Sequence, residues 1–148
     1  MPSRPFRSMC NSMDFTARSL RTLASHFKVS DLAAAIHFID HTELACSLVV
    51  SNEDGLSKWE MRSASMQKIV RPARYLVKVK APTDSLTASW SPESLFDTTA
   101  TGPLKKWLPG IRTDHGCQEC VVKTADGLFL TLLTAIPTAP IMASKVAA

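Results

Sequence analysis

Apolar positions in this chain change period near residue 44, and that change divides it into a helical part and a sheet-forming part. In the first part Leu20, Leu23, Ala24 and Phe27 stand at i, i+3, i+4 and i+7, which is one face of a helix. Asp14, ahead of Phe15, is placed to cap its start. Lys28 and Val29 break the pattern, and Ser30 can cap a second helix. Leu32, Ala35, Ile36 and Ile39 then repeat the helical spacing. Two short helices joined by a turn of about three residues predict a helix-turn-helix arrangement.

From Leu44 the spacing is that of strands. LACSLVVS, the turn Asn52–Gly55 and the alternating LSKWEMRS predict a hairpin, with Asp54-Gly55 as its turn dipeptide. Lys58, Glu60 and Arg62 fall on one side of its second strand, and Trp59 and Met61 on the other. ARYLVKVKA predicts a further strand with Tyr75, Val77 and Val79 on one face. SLTASW is a weaker strand or a crossing loop. The stretch from Ser91 to Gly110, rich in Pro and Gly, is expected to be loop with at most a short helix at Glu93–Phe96. QECVVKT, Ala125-Asp126-Gly127 and LFLTLLTAI predict a second hairpin at the core of the sheet. The expected fold class is α+β. A helix-turn-helix-like block occupies 1–43, a small mixed sheet domain 44–137, and a disordered tail 138–148.

Composition fits this picture. The 148 residues are 45% hydrophobic and 20% charged, which excludes a disordered or fibrous chain. Seventeen Lys and Arg against thirteen Asp and Glu give +4, which permits nucleic-acid contact without requiring it. No apolar run reaches the roughly 20 residues of a membrane span, and the N-terminus lacks the apolar core of a secretory signal. A cytoplasmic location and four reduced cysteines are therefore expected.

Candidate chemistry is sparse. H-E-x-x-H, G-x-S-x-G, G-x-x-x-x-G-K-[ST] and G-x-G-x-x-G are all missing from the sequence. His37 and His41 have metal spacing on a helix, with Glu43 as the third ligand they would need; the alternative is an ordinary helix face. His115, Cys117 and Cys120 form the other weak metal or redox group, against ordinary thiols in a loop and strand. A DNA-reading helix would begin at Ser30 and include Asp31, Ala34 and His37, with Arg18, Arg21 and Lys28 before it. Arg4 and Arg7, and then Lys58, Arg62, Lys68, Arg71, Arg74, Lys78 and Lys80, could hold phosphates or form solvated faces. Docking of a protein partner is the other use of such a helical pair. Trp59, Tyr75, Trp90 and Trp107 could line a small-molecule pocket, or serve as core and rim aromatics.

LASHFKVSDLAAAIHFID (Leu23 to Asp40), followed by CSLVVSNEDGLSKWEMRS (Cys46 to Ser63), resembles the ImmA/IrrE family of regulatory zinc metallopeptidases. Trp90, Glu119, Cys120 and the LTLL of Leu130–Leu133 resemble the end of the family's small GAF-like sensor domain. The resemblance implies a regulator whose intact relatives cleave a transcriptional repressor with zinc held by H-E-x-x-H. It also implies a helix-turn-helix block and a sensor domain for the residues present. This sequence departs by lacking H-E-x-x-H and by carrying His37 where arginine is usual. Met1-Pro2 resembles the tail of the segment that follows the zinc helix, so the expectation is a chain beginning after the catalytic domain. A chain of this kind would bind a repressor or a signal without catalysis and without its own cofactor. A DNA-binding regulator and a metal- or redox-sensing module are the alternatives.

Overall fold

The computed structural model describes residues 3–70, 75–94, 96–108 and 114–137. The tail at 138–148, Met1-Pro2, Arg71 and Arg74 lie outside the described residues. The class is α+β: helices come first, then a five-stranded sheet.

Helix α1 (Ser3–Cys10), α2 (Ala17–Phe27) and α3 (Asp31–His41) form one layer. The α2–α3 boundary falls where the sequence put it. Lys28 ends α2 in the left-handed region (φ 57°, ψ 48°), and the Ser30 hydroxyl accepts the Ala33 N–H to start α3. The cap of α2 is Thr16 rather than Asp14: its Oγ1 accepts the Ser19 N–H at 3.2 Å, while exposed Asp14 lies before the helix. Helix α1 has no counterpart in the periodicity, because only Phe6 and Cys10 of its eight residues are buried enough to mark a face.

Strands β1 (Cys46–Ser51) and β2 (Ser57–Arg62) make the first hairpin. After β2 come α4 (Ala64–Ile69) and α5 (Leu86–Ser89), then β3 (Thr99–Pro103), a 3-10 turn at Leu104–Lys106, β4 (Gly116–Lys123) and β5 (Phe129–Ile136). The spatial order is β2-β1-β5-β4-β3. Every neighbouring pair is antiparallel, so the sheet is not mixed as expected. Two tight hairpins set two of these pairs, and β1 lying antiparallel to β5 joins them. Gly55 (φ +78°) and Gly127 (φ +87°) occupy the hairpin turns, where an L side chain would be strained.

Strand β5 is central, and Phe129 to Leu133 are buried on both sides, which accounts for their unbroken apolar run. On one face Leu48, Val50, Cys120, Val122, Leu130 and Leu132 share a core with Phe6, Phe15, Leu20, Leu23 and Phe38 of the helical layer. The other face carries Val49, Cys117, Leu133 and Ala135 under Met66, Leu76, Leu104, Trp107 and Leu108. Residues of 1–43 and of 44–137 thus meet in the first core.

Five segments depart from expectation. The described part of ARYLVKVKA, residues 75–81, is no strand: Lys78 has φ 58°, and Lys80 makes an isolated bridge to Leu56. Leu76 and Ala81 are its buried residues, while Tyr75, Val77 and Val79 are exposed. SLTASW forms the short helix α5, capped by Ser85, whose Oγ accepts the Ala88 N–H. Residues 92–94 form a turn rather than a helix, and the supposed loop at 99–103 is edge strand β3. Its alternating half-exposure and its Gly and Pro gave no strand signal. Helix α4 was also unexpected; Ser63 starts it, accepting from Met66 N and Cys46 N and donating to Leu44 O.

Candidate ligand-binding cleft

The N-terminus of α2 is tied to the sheet by groups distant in sequence. Free N–H groups of a helix's first turn need acceptors. Ala17 N donates to Cys120 Sγ of β4 at 3.2 Å, and Arg18 N donates to Asp97 Oδ1 at 3.0 Å. Asp97, held at φ 66°, also takes Arg18 Nε on its second oxygen at 3.0 Å. Asp97 is thereby pinned against α2.

Strand β3 begins at Thr99, opposite Cys120, so β4 continues from Val121 to Lys123 without it as a neighbour. Here α2, α5, the segment after α5 and the end of β4 enclose a cleft of about 270 Å³. Its walls include Arg21, Leu86, Trp90, Phe96, Val121 and Lys123. Trp90 stands edge-on to Phe129, with ring centroids 5.5 Å apart. Lys123 Nζ lies 4.7 Å from the Trp90 centroid and 5.6 Å from that of Phe129. The Arg21 guanidinium lies 4.8 Å from the Phe96 centroid, and its Nε donates to Asp31 at 2.8 Å. Two cations therefore each rest on an aromatic wall of one recess.

Of the four aromatics expected to form a pocket, Trp90 alone lines this cleft. Trp59 packs towards the helical core, Trp107 is buried on the opposite face of the sheet, and exposed Tyr75 stacks on Arg62 at 4.3 Å. Alternation along β2 and the burial of Trp107 separate them. Arg21, read as a DNA contact, belongs to the cleft. Phe96 and Lys123 were missed, because an isolated Phe in a loop and an isolated Lys on a strand carry no periodic signal.

The residues of the reading helix are largely committed elsewhere. Ala34 is fully buried and offers no atom to DNA or a partner, correcting that expectation. Asp31 is paired with Arg21, Arg18 with Asp97, and the Ser30 hydroxyl with the α3 backbone. His37 packs on Phe6, with centroids 5.8 Å apart, and Lys28 is exposed at the end of α2.

The metal candidates are dispersed. Cys117 and Cys120, three apart on a strand, point to opposite faces: Cys117 into one core and Cys120 into the other. They cannot share an ion with His115 or join in a disulfide. His37 and His41 lie parallel at 6.3 Å with Phe6 against both, and Glu43 does not complete a site. Among the described residues no group of three His, Cys, Asp or Glu is placed to hold a metal ion.

Burial pushes the thiols up from an ordinary 9.0, to about 11 for Cys10 and about 12 for Cys46 and Cys117. Burial also raises Cys120, against the opposing effect of the Ala17 N–H bond. Native protein at pH 8 should therefore leave all four thiols unmodified by a thiol reagent, while denatured protein reacts at four. A folded-state pKa above the unfolded one stabilises the fold fully below about pH 9. That contribution falls as the pH rises towards 12, because only the unfolded thiols ionise. A midpoint of denaturation that declines steadily above pH 9 checks this.

One buried acid was noticed in the sequence only as part of a pattern. Glu119 Oε2 accepts from Thr87 N at 3.2 Å and Thr87 Oγ1 at 3.4 Å, and the Thr87 and Thr131 hydroxyls lie 2.5 Å apart. Glu119 Oε1 has Lys106 Nζ at 4.0 Å. Compared with known protein families and curated proteins, the chain matches no family model and no curated sequence. Among the described residues no helix is long and apolar enough to cross a membrane.

Proposed function

We propose that this chain is a regulatory module without chemistry of its own: the helix-turn-helix and GAF-like sensor portion of an ImmA/IrrE-type regulator. It binds a small-molecule signal at the seam of its helical layer and sheet, and it answers to a transcriptional repressor as protein partner. The supporting observation is the cleft itself. Arg21 of α2 and Lys123 of β4 face one recess, so a ligand touching both bridges the two layers. Occupancy is thus transmitted to α2 and α3, the surface a repressor would contact. The sequence lacks the family's H-E-x-x-H, so zinc and proteolysis belong to intact relatives. Sequence-specific DNA reading by α3 has weaker support, because Ala34 is buried and Asp31 and Ser30 are engaged within the fold.

Thermal denaturation against a metabolite library tests the reading. A cognate signal at about a hundred times its Kd adds roughly 2.7 kcal/mol of stability, and Trp90→Ala removes that gain. Zinc-dependent cleavage of a repressor by this chain would overturn the proposal. So would salt-sensitive DNA binding with no ligand response.

A further inference from the structure

The geometry points to a specific class of signal: a small aromatic carboxylate, its ring between Trp90 and Phe96 and its carboxylate shared by Arg21 and Lys123. This deepens the reading of the cleft as a signal site and rests on it. The volume of about 270 Å³ lies just under the roughly 300 Å³ at which pockets for drug-sized ligands begin, which suits a ligand of one ring or a fused pair. Trp90 and Phe96 supply flat apolar walls, and Leu86 and Val121 continue them. A planar ring gains from offset or edge contacts with such walls.

Charge selects the other half of the ligand. Among the described residues no Asp or Glu lines the cleft. Two of the acids nearby are engaged: Asp97 holds Arg18 and Asp31 holds Arg21. An adjoining recess, lined in part by Asp31 and Asp126, shares Arg21 and Lys123 with the cleft. Lys123 has no ion pair among the described residues, and its ammonium lies over Trp90 and Phe129. An ammonium resting on ring faces is partly stripped of water and binds a carboxylate more strongly than a free surface lysine does. The Arg21 guanidinium adds a planar fork that matches a planar carboxylate better than a tetrahedral anion in an apolar slot.

The test is titration of the isotope-labelled chain with four probes, followed by backbone and indole N–H resonances: benzoate, benzamide, benzylamine and inorganic phosphate. Benzoate should move the Trp90 indole signal and the amides of Val121 to Lys123. Benzamide, benzylamine and phosphate should each bind at least about tenfold more weakly, since each lacks either the charge or the ring. Lys123→Gln and Arg21→Gln should each weaken benzoate about tenfold, a loss typical of one charge-assisted contact. Lys28→Gln, outside the cleft, should leave it unchanged. Absence of benzoate shifts at Trp90 overturns the inference, as does benzamide, benzylamine or phosphate binding as tightly as benzoate. If one of those probes, or a library compound of another class, binds and Trp90→Ala abolishes it, the signal-binding module survives and only the ligand class falls. If no compound of any class stabilises the chain, both fall.

Discussion

Replacing Arg62 with alanine should destabilise the fold by about 3–5 kcal/mol, the cost of leaving a buried charge without its partner. Its partner is Glu60, two residues earlier on the same face of β2. The Arg62 and Glu60 side chains are 3% and 0% exposed. Arg62 Nε and Nη2 donate to Glu60 Oε2 and Oε1 at 2.6 and 3.0 Å. Glu60 also accepts from Ser47 Oγ at 2.5 Å and Leu76 N at 2.8 Å. The Tyr75 ring covers the guanidinium on the solvent side. Arg62→Ala would strand the carboxylate and loosen the 75–81 segment that Leu76 anchors. The double substitution Glu60→Leu, Arg62→Met should recover only part of the loss, because an apolar pair avoids the desolvation of the charges but leaves Ser47 Oγ and Leu76 N without their acceptor. Urea denaturation of the two single variants and the double variant measures this. A cost under about 1 kcal/mol for Arg62→Ala, the level of an exposed pair, would refute the account.

That pair also shows where sequence reading stops. The alternation in LSKWEMRS identified β2 and its two faces correctly. Ordinary polarity then placed Arg62 on a solvated face or against phosphates, with Glu60 as the one opposed acid. A strand covered on both faces must bury its polar side too, and the pattern cannot tell which acid and base will pair there. The long periodic elements were legible for the converse reason. In α2, α3 and the β4–β5 hairpin, burial, capping and turn chemistry agree. The elements missed (α1, α4, α5 and β3) are eight residues or fewer and edge or cover elements, stabilised by contacts rather than by pattern. The cleft was the least legible feature. Arg21, Lys123 and the pair Trp90 and Phe96 come from three separate stretches, and they meet because Asp97 and Cys120 dock the start of α2 onto the sheet. The C-x-x-C makes no joint site because strand geometry sends its two sulfurs to opposite faces.

Phe38→Ala should cost a further, independent 3–5 kcal/mol or so, by lost burial and the cavity left behind. Phe38 is fully buried in α3, stacked on Phe15 at 4.7 Å and 22°, in the core that also takes in Leu48, Leu130 and Leu132 of the sheet. For a chain of this length that loss lowers Tm by roughly 10 °C. Phe38→Leu, which keeps most of the volume, should cost well under half as much. The form of the transition is as informative as its position. Because helices and strands share one core, removing the ring should weaken both, and helical and sheet signals should melt together. An earlier, separate loss of helix in Phe38→Ala would instead make residues 3–41 a layer that folds and detaches alone. The cleft then supplies a second readout, since Arg21 rides on that layer and Lys123 on β4. At temperatures where the variant remains folded, benzoate should bind it as it binds the native chain if the two layers stay docked. Weakened binding before any loss of sheet signal would mean that the seam opens first, and that the site senses the docking of the helices as well as the ligand.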